Sequence, residues 1–191
     1  MYNGSGALGR LDVLLTPFYE RDIAAGRLTD DEAIFHIACM LLRDTAYAQL
    51  GGPDEHGRDV TNRVSYLVLE AIDQLQVPAN IGVCVGEGVD PGLLRRGGEQ
   101  QFTHKMGFPK FLGINQTIQG LVDNGFPLEL ARQRAYSGCH WSAIPGREYT
   151  MNDMVKLNFA TIFDVALRDL LADTAVTPSV DELWQRFALH L

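Results

Sequence analysis

Residues 80–85 read Asn-Ile-Gly-Val-Cys-Val, a short apolar run rich in β-branched residues and bounded by a proline and a glycine. Such a run is typical of a strand buried on both faces, as in a parallel sheet. Asp90 and Pro91 then open a predicted helix, and residues 109–114 form a second candidate strand. Because crossover helices join parallel strands, this order predicts an α/β fold with a few buried parallel strands.

Helical periodicity dominates the chain on either side of these strands. Thr29 and Glu32 have the spacing of a capping box and predict a helix start. Asn115 is predicted to cap another helix, and a further helix is predicted from Pro127 to about Tyr136. The helices outnumber the strands that they should cover, so we expect a helix-rich segment of a larger fold.

The bulk composition excludes several classes of protein. The chain has 191 residues, 46% of them hydrophobic, with a net charge of -8 and a pI of about 5.0. An acidic chain without a basic cluster argues against nucleic acid as a partner. No apolar run reaches the length of a membrane span. Three widely spaced cysteines form no disulfide framework, which predicts a cytoplasmic location.

Cys139 is the candidate reactive atom, because it lies in a turn beside His140 and Trp141 and between two helical patterns. The alternative is a buried structural cysteine, which is the common situation for a free thiol. A thiolate-dependent hydrolase or transferase is a third interpretation, and it requires fast alkylation of Cys139 near neutral pH. The sequence predicts no metal site.

Three blocks in this chain resemble the glycyl radical enzymes, the group that includes pyruvate formate-lyase, glycerol and diol dehydratases and the anaerobic decarboxylases. The first contains Gly-Arg-Leu-Asp at residues 9–12 followed by residues 17–23. The second runs through residues 51–62 and continues into residues 65–71. The third is the Gly-Cys pair at residues 138 and 139, at the turn where the family keeps its thiyl cysteine.

The resemblance implies a fold, a mechanism and partners. The fold would be part of a ten-stranded α/β barrel with Cys139 on a loop inside it. A glycyl radical would take hydrogen from the thiol, and the thiyl radical would then act on a small oxygenated metabolite as a lyase, dehydratase or formate acetyltransferase-like enzyme. No cofactor would be bound here. A separate iron–sulfur, S-adenosylmethionine-dependent activase would install the radical in an anaerobic host, and the full-length enzyme would be a homodimer.

Two positions depart from the family pattern. Many relatives carry a glutamate two residues after the cysteine, where this chain has Trp141. Pyruvate formate-lyase has a second adjacent cysteine, where this chain has His140, whose imidazole suits acid–base work near neutral pH. By the resemblance, Asp153 matches a substrate-hydroxyl position. Glu148 is a second candidate carboxylate for substrate binding. Trp141 is a further candidate for substrate binding and would also contribute apolar surroundings that keep the thiol neutral.

The Arg-Val-x-Gly-Tyr type motif that carries the radical glycine in this family does not occur in the sequence. Residues 1–191 are therefore expected to be the central portion of the enzyme, without its N-terminal part and its glycyl radical domain, and to be inactive alone. The alternative is a non-catalytic fragment or interaction module with exposed apolar helix faces.

Overall fold

The computed structural model describes residues 7–43, 47–137, 141–148 and 157–191. The chain divides into two compact units, Met1–Asn152 and Asp153–Leu191.

The elements of the first unit are, in chain order, β1 (Gly9–Arg10), α1 (Leu11–Ala24), α2 (Asp30–Arg43), β2 (Ala48–Leu50), α3 (Arg63–Leu75), β3 (Ile81–Val85), α4 (Pro91–His104), β4 (Lys110–Gly113), α5 (Ile114–Asp123), α6 (Leu128–Gln133), β5 (Ala135–Ser137) and β6 (Trp141–Ala143). The second unit contains α7 (Phe159–Ala172) and α8 (Val180–Leu189). None of the helices in the described ranges has both the length and the apolar character needed to cross a bilayer.

Four parallel strands form the sheet, in the order β1-β2-β3-β4. In its register Arg10 pairs with Gln49, Gln49 with Gly82, and Gly82 with Lys110, so these four residues form one row across the sheet. Since successive side chains on a strand point to opposite faces, the residues of this row share one face. The predicted α/β fold with buried parallel strands is confirmed.

The opposite face of the sheet carries the main apolar core. Its strand residues are Leu50, Ile81 and Val83, which pack with Leu67 and Ile72 from α3. All five residues are at most 1% exposed. Helices α1, α2 and α4 complete this helix-covered face, to which Leu11, Leu41 and Leu93 contribute. Burying side chains of this size is the dominant favourable contribution to folding.

Local sequence signals explain where several helices begin. The predicted capping box forms before α2, since the Glu32 amide donates to Thr29 Oγ1 at 3.3 Å and the Thr29 amide donates to Glu32 Oε2 at 2.8 Å. Asp90 caps α4 by accepting from the Gly92 amide at 2.8 Å. The prediction for Asn115 was wrong, because α5 begins one residue earlier and Asn115 Oδ1 instead accepts from the Glu87 amide at 3.2 Å.

The short strands depart most from the sequence-based expectation. The sequence did not predict β2, which is only three residues long, Ala48–Leu50. The helix expected from Pro127 to about Tyr136 ends at Gln133, and β5 follows at Ala135.

The second unit, taken by itself, is a pair of packed helices. Ala166 and Leu170 of α7 are buried, and the Phe187 ring of α8 stacks on those of Phe159 and Trp184. Arg186 pairs with Asp173 at 2.6 Å and helps to hold the two helices together.

Candidate functional site

The candidate site is built on the β5–β6 hairpin. Its two strands pair antiparallel, with Ala135 opposite Ala143 and Ser137 opposite Trp141. The hairpin therefore carries residues 138–140 between its strands. Cys139, His140 and Asp153 lie outside the described residues, so their predicted roles stay predictions.

Gln49 joins the hairpin to the sheet. Its side chain is 1% exposed and lies on the face of the sheet opposite the main apolar core. Gln49 Nε2 donates to the Gly51 carbonyl at 3.1 Å, and Gln49 Oε1 accepts from the Tyr136 amide at 2.9 Å. Both ends of one buried amide are thus satisfied, which fixes the middle of β5 against β2.

The Tyr136 side chain provides a second attachment of the same strand. Its hydroxyl donates to the Gly113 carbonyl at 3.1 Å and lies 2.8 Å from Thr117 Oγ1. Burial raises the pKa of Tyr136, so the phenol stays neutral at physiological pH. Tyr136 therefore links β5 to the end of β4 and to α5.

Arg10 holds the segment that leads into the hairpin. Its guanidinium donates to the Pro53 carbonyl at 2.6 Å and to the carbonyls of Arg132 and Arg134. Burial lowers the pKa of Arg10, and the acidic groups nearby counteract part of that shift. The Arg10 guanidinium thus binds backbone carbonyls of two separate segments, one after β2 and one before β5.

Arg134 and Glu148 close the base of the hairpin. Arg134 donates to the Ser142 carbonyl and to Glu148 Oε1, both at 2.9 Å, and its guanidinium lies 4.6 Å from the centre of the Phe126 ring. Glu148 Oε2 accepts from the Ile144 amide at 3.0 Å. Both oxygens of this candidate carboxylate therefore contact the hairpin itself, and its predicted substrate-binding role stays a prediction.

The surroundings of the hairpin are largely apolar and enclosed. Trp141 is half-buried in β6, and Ala135, Ala143 and Ile144 are 5% exposed or less.

A second thiol lies on the sheet in β3, and a buried carboxyl group lies at the start of α1. Cys84 is 1% exposed, and burial strongly raises the pKa of its thiol. Asp12 is fully buried and accepts hydrogen bonds from the Gly51 amide at 2.7 Å and from Ser65 Oγ at 2.6 Å. Burial raises the pKa of Asp12, and these hydrogen bonds partly offset the rise.

Sequence reasoning missed the residues that hold the hairpin. Arg10 lies in the first block of the family resemblance, so a signal for it was present. Gln49 and Arg134 carried no such signal. The partner of Gln49 is Tyr136, 87 positions away, and Arg134 binds the Ser142 carbonyl in the short strand β6.

Among the described residues, no group of three or more His, Cys, Asp or Glu side chains is arranged to hold a metal ion.

A cleft of about 430 Å³ lies at the base of the hairpin. Arg10, Asp54, Ile144 and Arg147 contribute to its walls. A second, much smaller cleft is lined by Tyr136 and by residues near the N-terminal ends of β2, β3 and β4.

Comparison with known proteins identifies the class. Residues 2–183 match the model of the family described as pyruvate formate lyase-like. Isethionate sulfite-lyase of Nitratidesulfovibrio vulgaris is 28% identical over 182 residues, and trans-4-hydroxy-L-proline dehydratase of Clostridioides difficile is 29% identical over 163 residues. These matches cover 83% and 73% of this chain. The chain belongs to the pyruvate formate lyase-like family.

Solved structures agree with the fold. A structure described as 1,2-propanediol dehydration in Roseburia inulinivorans covers 98% of this chain with a TM-score of 0.76 at 22% identity. The matched regions are 22% and 20% of the two curated relatives and 27% of the solved chain, so this chain spans about a fifth to a quarter of their length. The predicted resemblance to glycyl radical enzymes and the predicted partial barrel fold are confirmed.

Proposed function

We propose that this chain is the portion of a glycyl radical lyase or dehydratase that presents the thiyl cysteine, Cys139, to a small oxygenated substrate. The observation that carries the proposal is the hairpin whose described strands flank residue 139, attached to the sheet through Gln49 and Arg10. The curated relatives are named as a sulfite-lyase and a dehydratase, which supports this reaction class.

In the proposed mechanism, Cys139 on the hairpin transfers hydrogen atoms. A glycyl radical supplies the unpaired electron by accepting the hydrogen atom of the Cys139 thiol. Cys139 then takes a hydrogen atom from a substrate C–H bond and returns it to the product radical. A thiol that stays neutral is needed for both steps, and apolar surroundings would favour that form.

The proposed reaction also needs a group that transfers protons. We propose His140 for this role, because it neighbours Cys139 in sequence and its imidazole titrates near neutral pH. Asp153 is proposed to bind a substrate hydroxyl, and Trp141 to border the substrate. Glu148 is proposed as a positioning residue at the hairpin base, since both of its oxygens hold the Arg134 and Ile144 groups.

The wider setting follows from the family. We propose that residues 1–191 are the central portion of the enzyme and that the radical glycine lies outside them. An iron–sulfur, S-adenosylmethionine-dependent activase, a homodimeric full-length enzyme and a cytoplasmic location belong to the same proposal. C–C or C–S cleavage, dehydration and decarboxylation are all reactions that such a thiyl cysteine can start.

The test is substitution of Cys139 in the activated full-length enzyme. Cys139→Ser should abolish turnover while leaving the folded state and the glycyl radical signal unchanged, because an alcohol O–H is too strong a bond to give up its hydrogen readily. Cys39→Ser, which changes an exposed thiol, is the matched control and should retain full activity. Turnover by Cys139→Ser at the wild-type rate would contradict the proposal.

A further inference from the structure

Two consecutive glycines form the turn that follows β2. Gly51 has a φ of +67° and Gly52 a φ of +93°, in the left-handed region that favours glycine. A Cβ added at Gly51 would lie 2.7 Å from Thr61 Oγ1. One added at Gly52 would lie 2.9 Å from Cys84 Sγ. The backbone conformation and the close packing of this turn therefore both require glycine.

One peptide unit of the turn connects Asp59 with Gln49. The Gly51 carbonyl and the Gly52 amide belong to the same planar peptide unit, so their directions are fixed relative to each other. Asp59 Oδ1 accepts from the Gly52 amide at 3.1 Å. On the other edge of the unit, the Gly51 carbonyl accepts from Gln49 Nε2 at 3.1 Å. Asp59 therefore sets the direction of the carbonyl that binds the Gln49 amide.

The Asp59 carboxylate is itself held at both oxygens. Asp59 Oδ1 also accepts from Thr61 Oγ1 at 3.0 Å, and Asp59 Oδ2 accepts from the Asp90 amide at 2.9 Å. The preceding amide of the turn, that of Gly51, donates to the buried Asp12 Oδ2 at 2.7 Å. Asp59 thus joins the turn to the residue that caps α4, and it cannot move without losing several hydrogen bonds.

The direction of the Gly51 carbonyl decides which end of the Gln49 amide faces β5. With Gln49 Nε2 bound to this carbonyl, Oε1 faces the Tyr136 amide at 2.9 Å. A side-chain amide has a donor end and an acceptor end of nearly the same size, so rotation by half a turn would exchange them. The Tyr136 amide would then meet a donor, and β5 would lose this attachment to β2.

We propose that Asp59 is a positioning residue for hydrogen transfer by Cys139, acting through the two-glycine turn and the Gln49 amide. This inference rests on the proposed function. Removing the Asp59 carboxylate should free the peptide unit, let the Gln49 amide rotate and displace the hairpin segment that carries Cys139. Hydrogen-atom transfer needs close and aligned partners, so a small displacement should slow it while the sheet stays folded.

Amide hydrogen exchange in the radical-free, full-length protein tests the structural step. In Asp59→Ala, the Gly52 and Tyr136 amides should exchange at least about tenfold faster, while the amides of β3 keep their protection. Thr61→Val, a change of similar size, removes one hydrogen bond to Asp59 and should speed both amides by about threefold. This milder variant gives the answer if Asp59→Ala fails to fold.

Hydrogen transfer itself is measured in the activated full-length enzyme, from the electron paramagnetic resonance signal of the glycyl radical in D2O. A deuterated Cys139 thiol gives its deuterium atom to the glycyl radical and then takes a hydrogen atom back, so the radical glycine exchanges its α-hydrogen for deuterium. The doublet that this α-hydrogen produces should therefore collapse, and Asp59→Ala should slow the collapse by about tenfold or more. Cys139→Ser should prevent the collapse.

Asp73→Asn is the matched control, because it weakens hydrogen bonds between α3 and α4 near the C-terminal end of α3. It should change neither the exchange of Tyr136 nor the rate of collapse. Wild-type exchange of Tyr136 in Asp59→Ala (or in Thr61→Val, where Asp59→Ala does not fold) would overturn the positioning role, as would faster exchange with an unchanged rate of collapse. Collapse at the wild-type rate in Cys139→Ser would instead contradict the proposed function, so the two failures are distinguishable.

Discussion

The two faces of the four-stranded sheet hold their neighbours by different means. On the helix-covered face, Ile81 and Val83 pack against Leu67 of α3 with essentially no exposed surface. On the hairpin face, Gln49 and Arg10 hold β5 and the segment before it through hydrogen bonds to backbone groups. Apolar packing is strong but has no preferred direction, whereas hydrogen bonds fix distance and angle.

This difference matches what each face must do. The helix-covered face has to keep the sheet folded, and any close-packed set of side chains of the right volume serves that purpose. Under the proposed function, the hairpin face has to position the segment that carries Cys139, and small errors of position reduce the rate of reactions between bound groups. We therefore expect substitutions on the two faces to separate stability from positioning.

The largest loss of stability is expected from Leu67→Ala. This change removes a fully buried side chain from the helix-covered face and leaves a cavity, which should lower the free energy of unfolding by about 2–5 kcal/mol. Denaturant unfolding measures the loss, and the alkylation rate of Cys139 in the native state should stay unchanged. Leu42→Ala, at a side chain that is 62% exposed, should change stability by less than about 0.5 kcal/mol. Equal losses in the two variants would show that the buried packing of Leu67 does not stabilise the sheet.

A smaller loss is expected from Arg134→Met, which retains an apolar stem beside Phe126 but removes the donors to Ser142 and Glu148. Because the Glu148 side chain is 32% exposed, water partly replaces the lost partner, and we expect about 1–3 kcal/mol. The alkylation rate of Cys139 should rise, since the base of the hairpin loosens. Arg168→Met removes an exposed pair and should change neither quantity. An alkylation rate equal to that of the wild type would show that Arg134 does not position the hairpin.

A still smaller effect is expected at high pH from Tyr66, on the helix-covered side. Burial, together with the Asp90 carboxylate 2.5 Å from its hydroxyl, raises the pKa of Tyr66 to about 12. The folded value exceeds the unfolded value of about 10, so the stability contributed by Tyr66 is complete below pH 10 and is lost as the pH rises through 12. Absorbance titration should therefore show a step near pH 12 that Tyr66→Phe lacks. A Tyr66 step near pH 10 would contradict the hydrogen bond to Asp90.

The helix-covered side was the more predictable of the two. The capping box of Thr29 and Glu32 and the β-branched run that forms β3 are local signals, and both were confirmed. The hairpin side depends on contacts between distant residues, such as the one between Gln49 and Tyr136, which are 87 positions apart. A glutamine in a three-residue strand has no periodicity to reveal it, so β2 and β5 were missed.

Cys139 illustrates the same limit in the candidate site. The Gly-Cys pair could be recognised as a family block from the sequence, whereas the contacts that hold the hairpin on the sheet could not. Arg10 and Gln49 become neighbours only when β1 and β2 pair, and Arg134 meets Glu148 only when the hairpin closes. The proposed reactive residue can therefore be recognised locally in the sequence, whereas the contacts that hold the hairpin form only in the folded chain.

Amide hydrogen exchange at Tyr136 tests the attachment of the hairpin most directly. The amide of Tyr136 donates to Gln49 Oε1, a side-chain acceptor that Gln49→Leu removes without changing the size of the residue much. We predict strong protection of this amide in the wild-type protein, and exchange at least about tenfold faster in Gln49→Leu while the amides of β3 keep their protection. Unchanged protection of Tyr136 in Gln49→Leu would show that Gln49 does not hold the hairpin on the sheet.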